Sequence, residues 1–176
     1  MSSLETIPLE NPYEDDPELF AGMNVYLAAR YSRREEISGY ARALAELGFT
    51  ITSRWIAGGH TSGVQPDMTL SINKILAHHD RTDILKSDFV IHFTEDETTL
   101  YPRGSRHTEL GIAYERGKVN YVIGPYENIF HHLDGLLRFE NWKEFFVHFQ
   151  EVARFLKMRN LMRLVSSRTG GEYEKS

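Results

Sequence analysis

The sequence predicts a doubly wound α/β fold, in which helices cover both faces of a five-stranded parallel sheet. Short apolar segments alternate along the chain with segments whose apolar residues recur at helical spacing. Strands and helices in alternation form a parallel sheet with right-handed crossovers. The 176 residues are enough for one hydrophobic core but few for two. We therefore expect one compact domain.

The first half of the domain begins with a short apolar run, Met23–Ala29, which fits a buried strand. Ser32 and Glu35 have the spacing of a capping box that starts the first helix. Gly48 follows the last apolar residue of that helix, a position where glycine commonly ends a helix. Phe49–Trp55 alternates and is rich in branched residues, so it is the second predicted strand.

Two long loops separate the elements that follow. The first, Ala57–Asp67, is glycine-rich, and loops of this length in compact domains are often functional. The second, Thr94–Arg106, is polar. The predicted elements are a helix at Met68–Lys86, a strand at Asp88–Phe93, a helix from His107 or Thr108 to Gly117, a strand at Val119–Ile123, a helical turn at 127–135, a strand at Leu136–Phe139 and a helix at Trp142–Lys157.

The two ends of the chain differ in composition from the domain at 23–158. Residues 1–22 combine six acidic residues with three prolines, so we expect an arm outside the core. Residues 159–176 are predicted to be a flexible basic tail. A helical extension that touches nucleic acid is the alternative for the tail.

Charge and composition exclude several classes of function. The net charge of −5 offers no general attraction to a phosphate backbone or an acidic membrane, so we expect neither a nucleic-acid nor a membrane partner. The chain has no cysteine, no apolar stretch of bilayer length and no signal-peptide pattern at its start. A cytoplasmic location is the expectation.

The carboxyl ends of parallel strands are where ligands bind in such a fold. Glu109, in the predicted first turn of the helix after the third strand, places a carboxylate there. Its alternative role is to complement the helix dipole. The glycines form neither a dinucleotide fingerprint nor a Walker loop. The histidine pairs at 78–79 and 131–132 lack metal-ligand spacing. We therefore expect no cofactor and no metal.

Three separated motifs within about residues 23–150 resemble the nucleoside 2-deoxyribosyltransferases and the related nucleotide N-glycosidases. Asn24–Ala29 resembles the opening strand of the family. Asp80–Ile91 resembles a segment with Asp, Ile four residues later and Asp four later still. Gly104–Tyr114 resembles the helix with the nucleophilic glutamate in Glu-Leu-Gly. The resemblance implies a flavodoxin-like fold and a small nucleoside or nucleotide substrate.

By this resemblance, Glu109 attacks the anomeric carbon of the sugar and forms a glycosyl-enzyme ester. Tyr26 would hydrogen-bond the carboxylate and keep it aimed, with a plain core role as the alternative. Asp80 would donate a proton to the departing base. Asp83 and Asp88 are competitors for that role. The sequence leaves open whether the ester is resolved by water or by a second base.

Substrate contacts are assigned to a further set: Arg30, Ser32, Trp55, Asp83, Arg103, Ser105, Arg106 and Asn128. The arginines suit a 5′-phosphate, although surface arginines are common. Trp55 and His60 border the glycine-rich loop, which we expect to act as a lid or a base-stacking wall. Many transferases of the family have an acidic residue where this chain has Arg103, and the monophosphate glycosidases often have serine. Arg103 therefore leaves the choice of nucleoside or 5′-monophosphate open.

Asn128 resembles a residue that reaches into the site of a neighbouring subunit in the family, which implies a homodimer or a larger homo-oligomer. A turn residue is the alternative. Two other functions remain open. One is a nucleotide-sensing module that binds without turnover, since fold alone does not confer activity. The other is a scaffold that uses the acidic arm and the basic tail and binds no nucleotide.

Overall fold

The computed structural model describes residues 20–58, 70–96 and 104–152, together with 155 and 158. The described strands are β1 Asn24–Ala28, β2 Thr50–Ile51, β3 Phe89–Phe93, β4 Val119–Ile123 and β5 Leu136–Phe139. They form one sheet in the order β2-β1-β3-β4-β5, and every neighbouring pair is parallel. The predicted flavodoxin-like α/β fold is confirmed.

In the described part of the chain, four helices pack around the sheet: α1 Arg34–Glu46, α2 Leu70–Lys86, α3 Gly104–Glu115 and α4 over residues 142–152. The described connections also contain three short 3-10 helices, at Tyr31–Arg33, Arg54–Ala57 and Ile129–His132. Among the described residues, no helix has both the length and the apolar character to cross a membrane.

One face of the sheet carries polar side chains beneath α2 and α3. The register of β1 and β3 pairs Tyr26 with Val90 and Ala28 with His92, so these side chains project from the same face. The imidazole of His92 lies 5.2 Å from that of His107 on α3, measured between ring centroids. This face therefore carries the tyrosine hydroxyl and imidazole groups, which are the kinds of side chain that take part in reactions.

The opposite face is an aromatic core beneath α1 and α4. Tyr40 of α1 stacks on Trp142 of α4 with ring centroids 4.2 Å apart. Tyr40 also stacks on Phe93 of β3 at 5.5 Å. Phe149 of α4 meets Phe89 edge to face at 6.0 Å. Burial of aromatic side chains is the main stabilising contribution on this face.

Several predicted boundaries are wrong. Ser32 lies in the 3-10 helix Tyr31–Arg33, and α1 begins at Arg34 with no side-chain cap, so the capping box does not form. β2 contains two residues, because the chain turns into the 3-10 helix Arg54–Ala57 where a strand was expected. The helix expected to begin at His107 or Thr108 already includes Gly104, which moves Glu109 into its second turn.

The core also starts earlier in the chain than residue 23. Phe20 is 1% exposed and stacks on Phe49 with ring centroids 4.3 Å apart. Its ring therefore anchors the end of the predicted arm in the core. The rest of the arm, most of the loop Ala57–Asp67 with His60, and the basic tail lie outside the described residues.

Gly124, at the end of β4, has a backbone conformation and surroundings that favour glycine. Its φ is +113°, and an added Cβ would overlap the hydroxyl of Thr94. We expect Gly124→Ala to lower the free energy of unfolding by about 1–2 kcal/mol for the positive φ and by a further 1–3 kcal/mol, roughly, for the overlap. Urea unfolding measures this loss.

Gly135→Ala is the matched control. Gly135 has φ +85°, and no described atom lies within 4 Å of an added Cβ. This variant should show the backbone contribution alone. Equal losses of stability in the two variants would contradict the close contact with Thr94.

Candidate functional site

Glu109 lies beneath the sheet in the second turn of α3 and is partly buried. Burial raises the pKa of its carboxyl to about 8, and the charge of Asp80 on α2 contributes to this rise. The Tyr26 hydroxyl and the Arg106 guanidinium lower the pKa. The fold therefore brings Glu109, Asp80 and Tyr26, the three residues predicted to be catalytic, into one place.

Tyr26 of β1 combines a core ring with a polar group that faces the carboxyl. The residue is fully buried and belongs to the main hydrophobic cluster. Burial raises the pKa of its hydroxyl well above the usual value, and the charges of Glu109 and Asp80 raise it further. The hydroxyl lies close enough to Glu109 to affect its pKa, yet it meets full hydrogen-bond geometry with no described atom.

The three aspartates considered for proton donation have different surroundings. Asp80 is the one whose charge raises the pKa of Glu109. The carboxylate of Asp83 is buried and accepts hydrogen bonds from the Arg54 Nε at 2.9 Å. Asp88 accepts a hydrogen bond from the backbone N–H of Asn24 at 2.8 Å, which joins the starts of β1 and β3. Asp83 and Asp88 thus have structural partners.

The arginines predicted to bind phosphate lie in different places. Arg106 is 2% exposed, and its Nη2 lies 2.6 Å from Glu127 Oε1. It is therefore not available to a phosphate in this conformation, contrary to expectation. Arg30 is partly exposed at the carboxyl end of β1, with its Nη1 3.8 Å from Glu95 Oε2. Arg103 lies outside the described residues.

The remaining predicted contacts are divided between the surface and the core. Ser32 and Ser105 are exposed, in the segment after β1 and in the first turn of α3. Trp55 is 5% exposed, and its indole N–H donates to the Leu27 carbonyl at 2.8 Å. Trp55 is therefore packed in the core, which leaves little of its ring exposed to a stacked base.

Asn128 has the local role that was its alternative. Its side chain accepts a hydrogen bond from the backbone N–H of Phe130 at 2.9 Å and caps the 3-10 helix Ile129–His132. Its amide nitrogen also lies 3.4 Å from His107 Nδ1. The side chain is thus held within its own chain.

A second polar group, the histidine cluster, lies on the same face of the sheet and consists of His92, His107, Glu127 and His131. One potential ligand atom from each residue lies within 4.8 Å of those from the other three. The sequence prediction missed this set, because its members come from β3, α3 and the segment after β4 with no characteristic spacing. Their common position at the carboxyl ends of β3 and β4 was the available signal.

A cavity of about 420 Å³ lies between α3 and the segment that follows β4, with Leu110, Tyr114 and Phe130 in its lining. Its lining positions on α3 follow a single stripe of the helix, and Glu109 points to the other side of that helix. The cavity is therefore separate from the carboxyl pair, and we do not assign the predicted chemistry to it.

No protein-family model matches this chain. No curated protein matches it either. Solved structures that are similar to it include the following two. A 2-deoxyribosyltransferase from Bacillus psychrosaccharolyticus is 22% identical over 69% of this chain and 88% of that protein, with a TM-score of 0.49. A CMP N-glycosidase from Clostridium botulinum is 20% identical over 77% of this chain and 98% of that protein, with a TM-score of 0.46.

Replacing the Glu109 carboxyl should change how stability depends on pH. Because its pKa is raised from 4.5 to about 8 in the folded protein, the folded state binds this proton more tightly than the unfolded state. The free energy of unfolding therefore falls between those pH values, by at most about 1.4 kcal/mol per pH unit. Glu109→Gln removes this loss, so its stability relative to the wild type should increase from pH 5 to pH 8.5.

Thermal unfolding of both proteins across this pH range measures the effect. Glu115→Gln, an exposed change on the same helix, is the matched control and should differ from the wild type by a constant amount. A pH-independent difference for Glu109→Gln would contradict the raised pKa.

Proposed function

We propose that this protein cleaves the N-glycosidic bond of a nucleoside or a nucleoside 5′-monophosphate through a covalent intermediate on Glu109. The observation that carries the proposal is the partly buried Glu109 carboxyl, which lies close to Asp80 and to the Tyr26 hydroxyl. Enzymes that cleave glycosidic bonds commonly use two carboxyl groups in one site. The three motifs that resemble the transferase and glycosidase family include these same residues.

In the first step, a carboxylate oxygen of Glu109 forms a bond to the anomeric carbon of the sugar, and the bond from that carbon to the base nitrogen breaks. The electron pair of the broken bond passes to the base, and the Asp80 carboxyl supplies the proton that neutralises it. In the second step, water or the nitrogen of another base attacks the same carbon and gives its proton to the Asp80 carboxylate. The bond from that carbon to the Glu109 oxygen breaks, so the Glu109 carboxylate and the Asp80 carboxyl are both restored.

The environment of Glu109 supports a chemical role over a merely structural one. A glutamate that only complements a helix dipole belongs in the first turn, near solvent, whereas Glu109 lies in the second turn. A partly buried carboxyl beside a second carboxyl is costly to ionise, and such groups are concentrated at functional sites. A role as nucleophile gives a reason for this cost of ionisation, because the negative charge of the Glu109 carboxylate is lost when the ester forms.

The choice between transfer and hydrolysis depends on how well water is excluded while the ester exists. Arg30, partly exposed after β1, is the described arginine best placed to meet a 5′-phosphate.

The proposal includes a homodimer or a larger homo-oligomer. It is supported by the exposed apolar side chains around the 3-10 helix after β4, where Ile129 is 79% and Phe130 is 63% exposed.

Glu109→Gln should remove turnover while leaving the protein folded. The amide cannot act as the nucleophile, so we expect a loss of at least about 1,000-fold in kcat. The assay uses ribo- and deoxynucleosides and their 5′-monophosphates, with and without a free acceptor base, and follows base release by chromatography. Dependence on the acceptor and on the phosphate would identify the subclass.

Glu115→Gln, on the exposed side of the same helix, is the control and should retain full activity. More than a tenth of the wild-type rate in Glu109→Gln would exclude Glu109 as the nucleophile. Nucleotide binding without base release from any substrate would instead support the sensing module. Intact-mass measurement of the acid-quenched wild-type reaction should find the glycosyl adduct, which the Gln variant lacks.

Tyr26→Phe should shift the pH dependence of catalysis. The Tyr26 hydroxyl lowers the pKa of Glu109, and the reaction needs the ionised carboxylate. It also needs the proton on Asp80, and above about pH 8 both carboxyls are ionised. The wild-type kcat/KM should therefore fall as the pH rises through that value, and this fall should move to higher pH in the variant. A uniform loss of rate at every pH would indicate a structural role for Tyr26 only.

A further inference from the structure

Three imidazole rings surround one point at the carboxyl ends of β3 and β4. The ring centroid of His92 lies 5.2 Å from that of His107 and 5.3 Å from that of His131. The centroids of His107 and His131 are 5.4 Å apart. Glu127 joins this triangle, with its Oε2 3.3 Å from His107 Nε2. Four groups that commonly bind metals therefore converge from three separate segments of the chain.

His92 is the member whose presence most needs a physical reason. It is fully buried at the polar face of the sheet. Neither of its ring nitrogens meets hydrogen-bond geometry with any atom of the described residues, although the Arg106 backbone is near enough to influence the ring. A buried polar group without a partner costs about 1–3 kcal/mol. A ligand bound at this ring would supply the missing partner.

We propose that His92, His107, Glu127 and His131 together bind one divalent transition-metal ion of the zinc type. Three imidazole nitrogens and one carboxylate oxygen match the donor preference of Zn²⁺, which takes four ligands in a tetrahedral arrangement. Ca²⁺ and Mg²⁺ prefer oxygen ligands alone. The proposal does not depend on the function proposed above.

The distances permit closure onto an ion by side-chain movement. Ligand atoms around a tetrahedral zinc ion lie about 3.3 Å from one another, given bonds of about 2.0–2.1 Å. The four potential ligand atoms all lie within 4.8 Å of one another. His131 Nδ1 accepts a weak hydrogen bond from the Glu127 backbone N–H at 3.3 Å. Rotation of the side chains would contract the set and would rearrange this weak bond, together with the contacts at 3.4 and 3.5 Å that the Asn128 amide nitrogen makes with His107 Nδ1 and His131 Nε2.

Arg106 is the group that opposes a cation here, and Glu127 offsets its charge. The Arg106 Nη2 lies 2.6 Å from Glu127 Oε1, while the Oε2 of the same carboxylate faces His107. A carboxylate that binds a metal through one oxygen and a hydrogen-bond donor through the other is a common arrangement around metal sites. Glu127 would thus be held in place by Arg106 for its role as a ligand.

The ion would join β3, the start of α3 and the segment after β4. It would therefore act as a structural clip for the part of α3 that also carries Glu109. An ion that binds only the folded state stabilises it by mass action. At free zinc about 100 times its dissociation constant, we expect the Tm to rise by about 5–10 °C.

The test uses the full chain, stripped with a chelator and then supplied with Zn²⁺ or Co²⁺ alone. We expect one ion per chain after desalting, the rise in Tm, and a visible Co²⁺ spectrum of the intensity typical of four-coordinate nitrogen and oxygen sites. Failure of the wild type to retain either ion would overturn the proposal without any variant. Nucleoside turnover is not a readout, so the outcome is independent of the function of Glu109.

His107→Gln removes the most accessible imidazole of the cluster and should weaken zinc binding by at least about 100-fold. His132→Gln is the matched control, since this exposed neighbour of His131 stacks on Tyr126 instead. Wild-type affinity in His107→Gln, or an equal loss in His132→Gln, would place the ion elsewhere and overturn the assignment. Equal Tm values for wild type and His107→Gln in chelator would establish that the variant is folded.

Discussion

The ion pair between Arg106 and Glu127 is the interaction on which the polar side of this protein depends. Both side chains are almost fully buried, at 3% and 1% exposure. Removing one partner from a buried pair commonly costs about 3–5 kcal/mol, because the other charge is left uncompensated. The pair ties the first turns of α3 to the segment after β4. It thereby sets the position of both the candidate nucleophile Glu109 and the histidine cluster.

One face of the sheet supplies most of the apolar packing, and the other carries the candidate functional side chains. The face under α1 and α4 is a continuous aromatic core, with Tyr40, Trp142 and Phe93 stacked on one another. The face under α2 and α3 carries Tyr26 and His92, whose polar atoms are costly to bury. The apolar face offsets that cost. A helix over a polar face is also what keeps the carboxyl of Glu109 away from bulk water.

Much of the architecture could be read from periodicity, since the strands and helices have strong, regular apolar patterns. Strand β3 and strand β4 were predicted within a residue. The failures came where local chemistry competes with tertiary packing. Ser32 and Glu35 have the spacing of a capping box, but a 3-10 helix occupies that position. Trp55 looked like the end of a strand beside a binding loop, whereas its ring is buried in the core.

The sequence by itself determined the fold class and the candidate carboxyls, because strand alternation and the position of Glu109 after the third strand are properties of the chain order. Tertiary structure alone decided which groups meet. Asp80 and Glu109 are 29 positions apart in the sequence, and burial between α2 and α3 couples them. His92 and His131 come together only because parallel strands end at the same edge of the sheet. No local sequence pattern predicts the contact between His92 and His131, because it results from the register of β3 and β4.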